Sequence, residues 1–368
     1  MTATLHLTGH RANPARITPP PPRAAAATFV FTTAYAVLGL WWTLGGPGFP
    51  FGEGHDPDPA YSNLAALTPE TGGPLIASWG LVAALAAWVL IQPAAAPRLT
   101  RGAIAIGYFT AAVLILIVPD FRVLIRIAYL PVILLGAPFG WPPGADLGEF
   151  FQWTVLNQFL CIAGGILLFQ AARSGQRRLA GRCVACGRGE VPTGWTTPEA
   201  AARWGRWATW TAVLLPFFYS VTRWAWALGI PLGVTREFLV EEARDTPMIW
   251  YAGAFLATIG ALGGLLTLGL IQPWGERFPR WMGRFAGRRV PPRLATVPAM
   301  AIAILIVETG IMYNRMALTG AWDHEFRTGN WATVVPEMTW PLWGISLGLA
   351  ALAYHYRRRG PCAACNRG

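Results

Sequence analysis

The chain contains no lysine. Its 29 basic residues are all arginine, set against 18 acids, so guanidinium groups alone carry the net charge of +11. Charge of either sign is scarce, at 13% of 368 residues, while 54% are hydrophobic. Those proportions would suit a large soluble protein, but their distribution does not. Apolar runs of eighteen or more residues recur, the length that a bilayer core demands. Cysteine is also rare: there are five, four of them in two tight pairs, which excludes a secreted disulfide framework. The five histidines, His6, His10, His55, His324 and His355, lie outside the apolar runs or at their ends, so no bis-histidine intramembrane haem is built from them. A Walker loop, HExxH, GxSxG and a dinucleotide fingerprint are all missing.

The apolar runs define an all-α integral membrane protein. Residues 1–23, with Pro19 to Pro22 and three arginines, read as a disordered polyproline tail. Spans are expected at about 24–45, 74–92, 102–118 and 151–172, then at 207–230, 249–271, 294–314 and 338–356. Leu90-Ile-Gln-Pro93 returns as Leu270-Ile-Gln-Pro273, and Ile115-Leu-Ile-Val118 as Ile304-Leu-Ile-Val307. Trp42-Thr-Leu-Gly-Gly-Pro47 is echoed by Trp226-Ala-Leu-Gly-Ile-Pro231, and each half then closes on a Cys-x-x-Cys pair. Four echoes in one order point to duplication. The expected plan is a membrane repeat over 24–190, a cytoplasmic linker over 191–206 and a second repeat over 207–368. Gly80 with Ala84, Gly260 with Gly264 and Gly344 with Gly348 mark expected packing faces.

Residues 121–140 are apolar but carry Arg122 and Arg126. As a ninth span they would send the arginine-rich stretch 173–206 outside. With eight spans and both termini inside, inner segments take twenty-two of the twenty-nine arginines, and among acids only Glu190, Glu199 and Glu276. The positive-inside rule therefore selects eight. Four spans per half make the repeats parallel. The 121–140 segment becomes an outer continuation of the third helix, or an interfacial or re-entrant piece. The arginines are thereby topology determinants, and no nucleic-acid partner is indicated. Most of the nineteen tryptophans cluster near span ends, as an interfacial belt does.

Cys183 and Cys186, and Cys362 and Cys365, are the most specific chemistry in the chain. Two intervening residues let both sulfurs face one ion, and the residue after each pair, Gly187 or Asn366, tolerates a left-handed turn. The pairs resemble the knuckles of zinc-ribbon and rubredoxin-like sites, a resemblance that implies a four-cysteine structural zinc site joining the halves. A redox dithiol and two unrelated thiol pairs are the competing readings. Cys161 reads as a packing residue.

Charge at membrane depth is costly and marks a candidate site. Arg223 and Glu308 fall at equal depth, which makes an ion pair feasible, the alternative being that Arg223 snorkels outward while Glu308 faces water; Arg315 and Arg126 occupy matching places in the two halves. Arg122 and Arg126 are expected to snorkel to outer headgroups, with the neighbouring acids in water. His55 with Asp56 and Asp58, and His324 with Asp323 and Glu325, read as solvated loops rather than cation sites. The lysine-free Ala/Gly/Pro/Arg-rich composition and Gly-Gly-Pro-Gly-Phe-Pro-Phe-Gly at 45–52 resemble uncharacterised multi-pass membrane proteins of high-GC actinobacteria. That resemblance implies a bacterial inner membrane and no activity. The leading expectation is a small-solute permease or channel-like protein with a polar site in the outer half of the bilayer, lined by Arg223, Glu308, Arg315 and Arg126. The alternatives are an accessory subunit that docks a cytoplasmic protein partner through its zinc module, and a membrane enzyme active at the outer face. Besides the lipid bilayer, a homo-oligomer is a second expected partnership.

Overall fold

The structure is a computed structural model that describes residues 22–92, 95–136, 151–189 and 194–367. The expected tail over 1–23 lies outside these residues except for its last two, as do His6, His10 and residues 137–140 of the arginine-bearing segment. The described residues are helical, with no β-strand among them beyond one isolated bridge. The first half holds α1 (Pro22–Thr43), α2 (Pro69–Ile91), α3 (Pro97–Leu116), α4 (Phe121–Gly136) and α5 (Trp153–Leu179). The second holds α6 (Pro198–Ala227), α7 (Arg236–Asp245), α8 (Ile249–Leu266), α9 (Pro292–Leu318), α10 (Asp323–Arg327), α11 (Val335–Met338) and α12 (Trp340–Arg358). Proline opens α1, α2, α3, α6 and α9, where its fixed φ suits the first turn and its missing N–H costs nothing.

Six segments are long and apolar enough to cross a membrane: Ala26–Thr43, Pro69–Ile91, Pro97–Leu116, Trp153–Leu179, Ile249–Leu270 and Pro292–Leu318. The other two expected spans form as helices α6 and α12. Interrupted by tryptophans, prolines and arginines, neither holds an eighteen-residue stretch as apolar as those of the six. Large apolar side chains point outward along the helices, among them Leu81, Leu85, Trp88, Phe109, Leu160, Phe255, Ile259 and Leu349. Alanines such as Ala83, Ala87, Ala212, Ala257 and Ala351 fill the interior. A water-soluble bundle would bury the large residues. Here small residues draw the helices together and the large ones face the surroundings, as lipid requires.

The close approaches can be located. A Cβ on Gly80 would sit 2.8 Å from the Ala36 backbone, and one on Gly344 2.5 Å from the Ala303 carbonyl oxygen. Gly264 meets Pro216, and Ala84 is buried. Gly260 faces open space, so the expected Gly260–Gly264 packing face reduces to Gly264 alone.

Within the first half α1 lies against α2, and α3 against α5. In the second, α6 lies against α8 and α12, and α9 against α12. The halves meet within the bundle where α9 touches α3 and α4. The third helix does not continue outward as one rod. It stops at Leu116, the chain turns through Pro119, and the Asn63 side-chain amide donates to the freed Ile117 carbonyl at 3.1 Å. α4 then starts afresh and packs on α5 and α9. In the second half the corresponding stretch has no proline after Ile304-Leu-Ile-Val307, and α9 runs unbroken for 27 residues.

Candidate metal centre

α5 and α12 end at the same end of the bundle, and each is followed four residues later by a cysteine. Each pair builds the same small turn. The Cys183 amide donates to Arg188 O at 3.0 Å and the Gly187 amide to Cys183 O at 2.7 Å. The Cys362 amide donates to Arg367 O at 3.0 Å and the Asn366 amide to Cys362 O at 2.7 Å. This closure forces a positive φ after the second cysteine, +76° at Gly187 and +55° at Asn366, the residue types expected there.

The two turns face each other. All four sulfurs of Cys183, Cys186, Cys362 and Cys365 lie within 4.8 Å of one another, and Cys186 Sγ is 3.6 Å from Cys365 Sγ. A tetrahedral ion with metal–sulfur bonds of about 2.3 Å needs sulfurs about 3.8 Å apart, so the set fits one metal. No disulfide joins any of the five cysteines. Backbone carries much of the clasp between the halves: Arg188 Nη1 donates to Arg367 O at 2.6 Å and to Gly360 O at 3.0 Å, while Arg367 Nη1 donates to Arg188 O at 3.3 Å. From α5, Arg177 Nη1 donates to Val184 O at 2.6 Å and Ala185 O at 3.0 Å, pinning the first turn to its helix.

Electrostatics divides each pair in the same way. Burial raises the Cys362 thiol, but the amides of Ala364 and Cys365 outweigh it and bring the pKa down to about 7. At Cys183 the amides of Cys186 and Ala185 likewise outweigh burial and lower it. Burial pushes Cys186 up to about 12 and raises Cys365 too. The first thiol of each pair is therefore the readier thiolate. A metal would draw the proton from all four.

The opposite end of the bundle holds the buried charges, wired differently from expectation. Arg122 does not snorkel. It is buried, with Nη1 2.6 Å from Asp56 Oδ1 and Nη2 2.6 Å from Asp120 Oδ2. Neither acid faces water: Asp120 also accepts from Gln158 Nε2 at 2.8 Å, and Asp56 belongs to the folded-back loop after α1. Asp56 is thereby unavailable to a cation beside His55. Arg223 pairs with Glu337 rather than with Glu308. It donates to Ala332 O at 3.0 Å and lies over the Tyr219 and Trp226 rings, at 4.5 and 4.2 Å from their centroids. Helical depth alone could not find Glu337, because it reaches Arg223 from the short α11.

Glu308 is wholly buried in α9. One carboxylate oxygen accepts from Thr309 Oγ1 at 3.2 Å, and the other has no hydrogen-bond partner among the described residues. Arg315, two turns further on, reaches across to Ala60 O in the first half at 2.5 Å. Arg126 is half-buried on α4. Of the four expected site residues, then, Arg315 bridges the halves, Arg223 is held within the second half, and Glu308 and Arg223 are not brought together. Among the described residues, the cysteines form the one group of metal-ligating side chains close enough to share an ion.

Fold and site together define a helical protein of membrane type that carries a four-cysteine cluster fit to hold a metal. Compared with known proteins, the chain matches no family model, no curated protein and no solved structure.

Proposed function

We propose that this is an eight-span protein of a bacterial inner membrane, made of two parallel four-helix halves clamped on the cytoplasmic side by a structural zinc ion. The meeting of four sulfurs from two stretches 179 residues apart carries this reading. Four thiolates in a closed set leave no open coordination position, which is the donor pattern of structural rather than catalytic zinc. The arginines that donate to backbone around the turns offset the negative charge of a four-thiolate centre. On this reading α6 and α12 are spans, and the termini and the linker face the cytoplasm.

The clamped halves form a small-solute permease or channel-like protein with its polar site at the outer end. Glu308 and Arg315 support this, since both lie on the helix that meets the first half and one Glu308 oxygen is unpartnered among the described residues. Arg126 stands near the same junction on α4, and Arg223 anchors the second half's outer end. Solute uptake into liposomes tests this reading. Wild-type protein should carry a small polar solute, and Glu308→Gln should lower the rate at least tenfold while the protein still folds and keeps its metal. Absence of flux for every solute class offered, with a cytoplasmic protein co-purifying through the cysteine module, would instead make it an accessory subunit.

A further inference from the structure

Between Leu270 and the start of α9 the chain folds back on itself. The amide of Phe278 donates to Arg288 O, that of Gly287 to Phe278 O and that of Val290 to Glu276 O, each at 3.0 Å. This places Arg277 and Arg289 opposite each other across an isolated antiparallel bridge. Like charges directly opposed on paired strands repel. The fold then adds positive charge instead of removing it: Arg357 and Arg358, at the end of α12, complete a cavity of about 300 Å³ whose remaining wall is Glu276. Glu276 is already shared between Arg357 at 3.0 Å and Arg358 at 3.1 Å. Arg277 and Arg289 have no carboxylate partner among the described residues, so four guanidinium groups face one carboxylate. Topology needs arginines on this side of the membrane, but it does not need them gathered around one cavity.

We propose that this cavity binds a phosphate group, supplied by the headgroup of an anionic phospholipid. Planar guanidinium forks match phosphate oxygens in pairs, which suits a site built wholly from arginine. Three features select a lipid over free phosphate. The loop joins two membrane-spanning segments and so lies at the headgroup level. It exposes Trp281 by 82% and Trp274 by 52%, with Phe285 beside them, the aromatic surface that settles at a bilayer interface. Arg357 also lines a second cavity of about 100 Å³ between α6 and α12, whose walls include Gly205, Leu270, Ala353 and Tyr354 together with Arg206. An arginine-lined chamber thus adjoins a cleft of mixed lining, where aliphatic side chains stand beside a second arginine pair, Arg206 and Arg357, as the glycerol region of an anionic phospholipid requires.

The test uses the full chain, purified in detergent and stripped of lipid, with retained lipid counted by native mass spectrometry. Offered phosphatidylglycerol and phosphatidylcholine together, the protein should hold the anionic lipid in preference. Arg277→Gln with Arg289→Gln should cut that retention roughly tenfold or more, and Arg277→Lys with Arg289→Lys should keep part of it. Arg98→Gln with Arg101→Gln, in the first turns of α3, should behave as wild type. Both targeted arginines are exposed, so the variants should fold, and unchanged melting in phosphatidylcholine would establish that they do. Equal retention of the two lipids, or undiminished retention by the glutamine variant, would overturn the proposal. Displacement of phosphatidylglycerol by inorganic phosphate alone would uphold the phosphate site and overturn the lipid as its source.

Discussion

At one end of the bundle, two sulfur pairs leave their helices after the same interval and meet through matching turns, 179 residues apart in the chain. At the other end, Arg122 gathers Asp56 and Asp120, and Arg223 gathers Glu337, from positions that share no spacing. The contrast separates what a short motif can encode from what only the fold can. A cysteine knuckle is local, so the same geometry appears in both halves as a short motif. A buried ion pair needs only that opposite charges meet, and each half meets that need with whatever loop or short helix lies across from its arginine.

Breaking the buried Arg122 clamp at the far end should have the largest effect of any single change there. Arg122→Ala would strand two carboxylates in the interior and should cost about 3–5 kcal/mol of stability, read by denaturation in detergent. Adding Asp56→Asn to that variant should recover part of the loss, because one stranded charge is gone. A loss under about 1 kcal/mol would mean that Arg122 reaches water after all.

The Arg223–Glu337 pair should also respond to pH. Burial pushes the Glu337 carboxyl up to about 7, against the pull of Arg223. A carboxyl whose pKa is higher in the folded state stabilises that state fully below its unfolded value, and the benefit is lost as pH rises through the folded one. Wild-type melting temperature should therefore fall relative to Glu337→Gln as pH climbs from about 4.5 to about 7. Parallel profiles for the two proteins would show that Glu337 is already ionised throughout.

Smaller effects separate a packed glycine from an idle one. Gly80→Ala forces a Cβ onto the Ala36 backbone and should cost about 1–3 kcal/mol. Gly260→Ala meets nothing and should be neutral or stabilising by roughly 0.5–1 kcal/mol. Equal losses at both positions in a thermal scan would place Gly260 in a helix contact.

Helical composition, the apolar runs and the cysteine set were readable because each is written locally. Period, length and a two-residue gap suffice for them, and Gly187 and Asn366 even announced the backbone turn. Pro119 was visible too, yet its effect was not, since a proline after an apolar run can end a helix or merely bend it. The Arg122 clamp escaped because Asp56 lies in a Gly/Pro-rich loop with no periodicity to reveal that it folds inward. Asp120 beside Arg122 was half of the signal. Glu337 escaped because equal depth along two helices says nothing about which short segment fills the space between them. Pairing Arg223 with Glu308 used the right physics with too few candidates.

Whether one metal joins the two halves is decided by elemental analysis of protein purified under reducing conditions. Such protein should carry about one zinc per chain, with Cys183, Cys186, Cys362 and Cys365 unreactive toward a thiol reagent until a chelator is added. Cys183→Ser alone should then abolish binding nearly as fully as removing both cysteines of a pair. Metal-free protein whose four thiols react at once, and whose melting temperature ignores chelator, would contradict a shared metal.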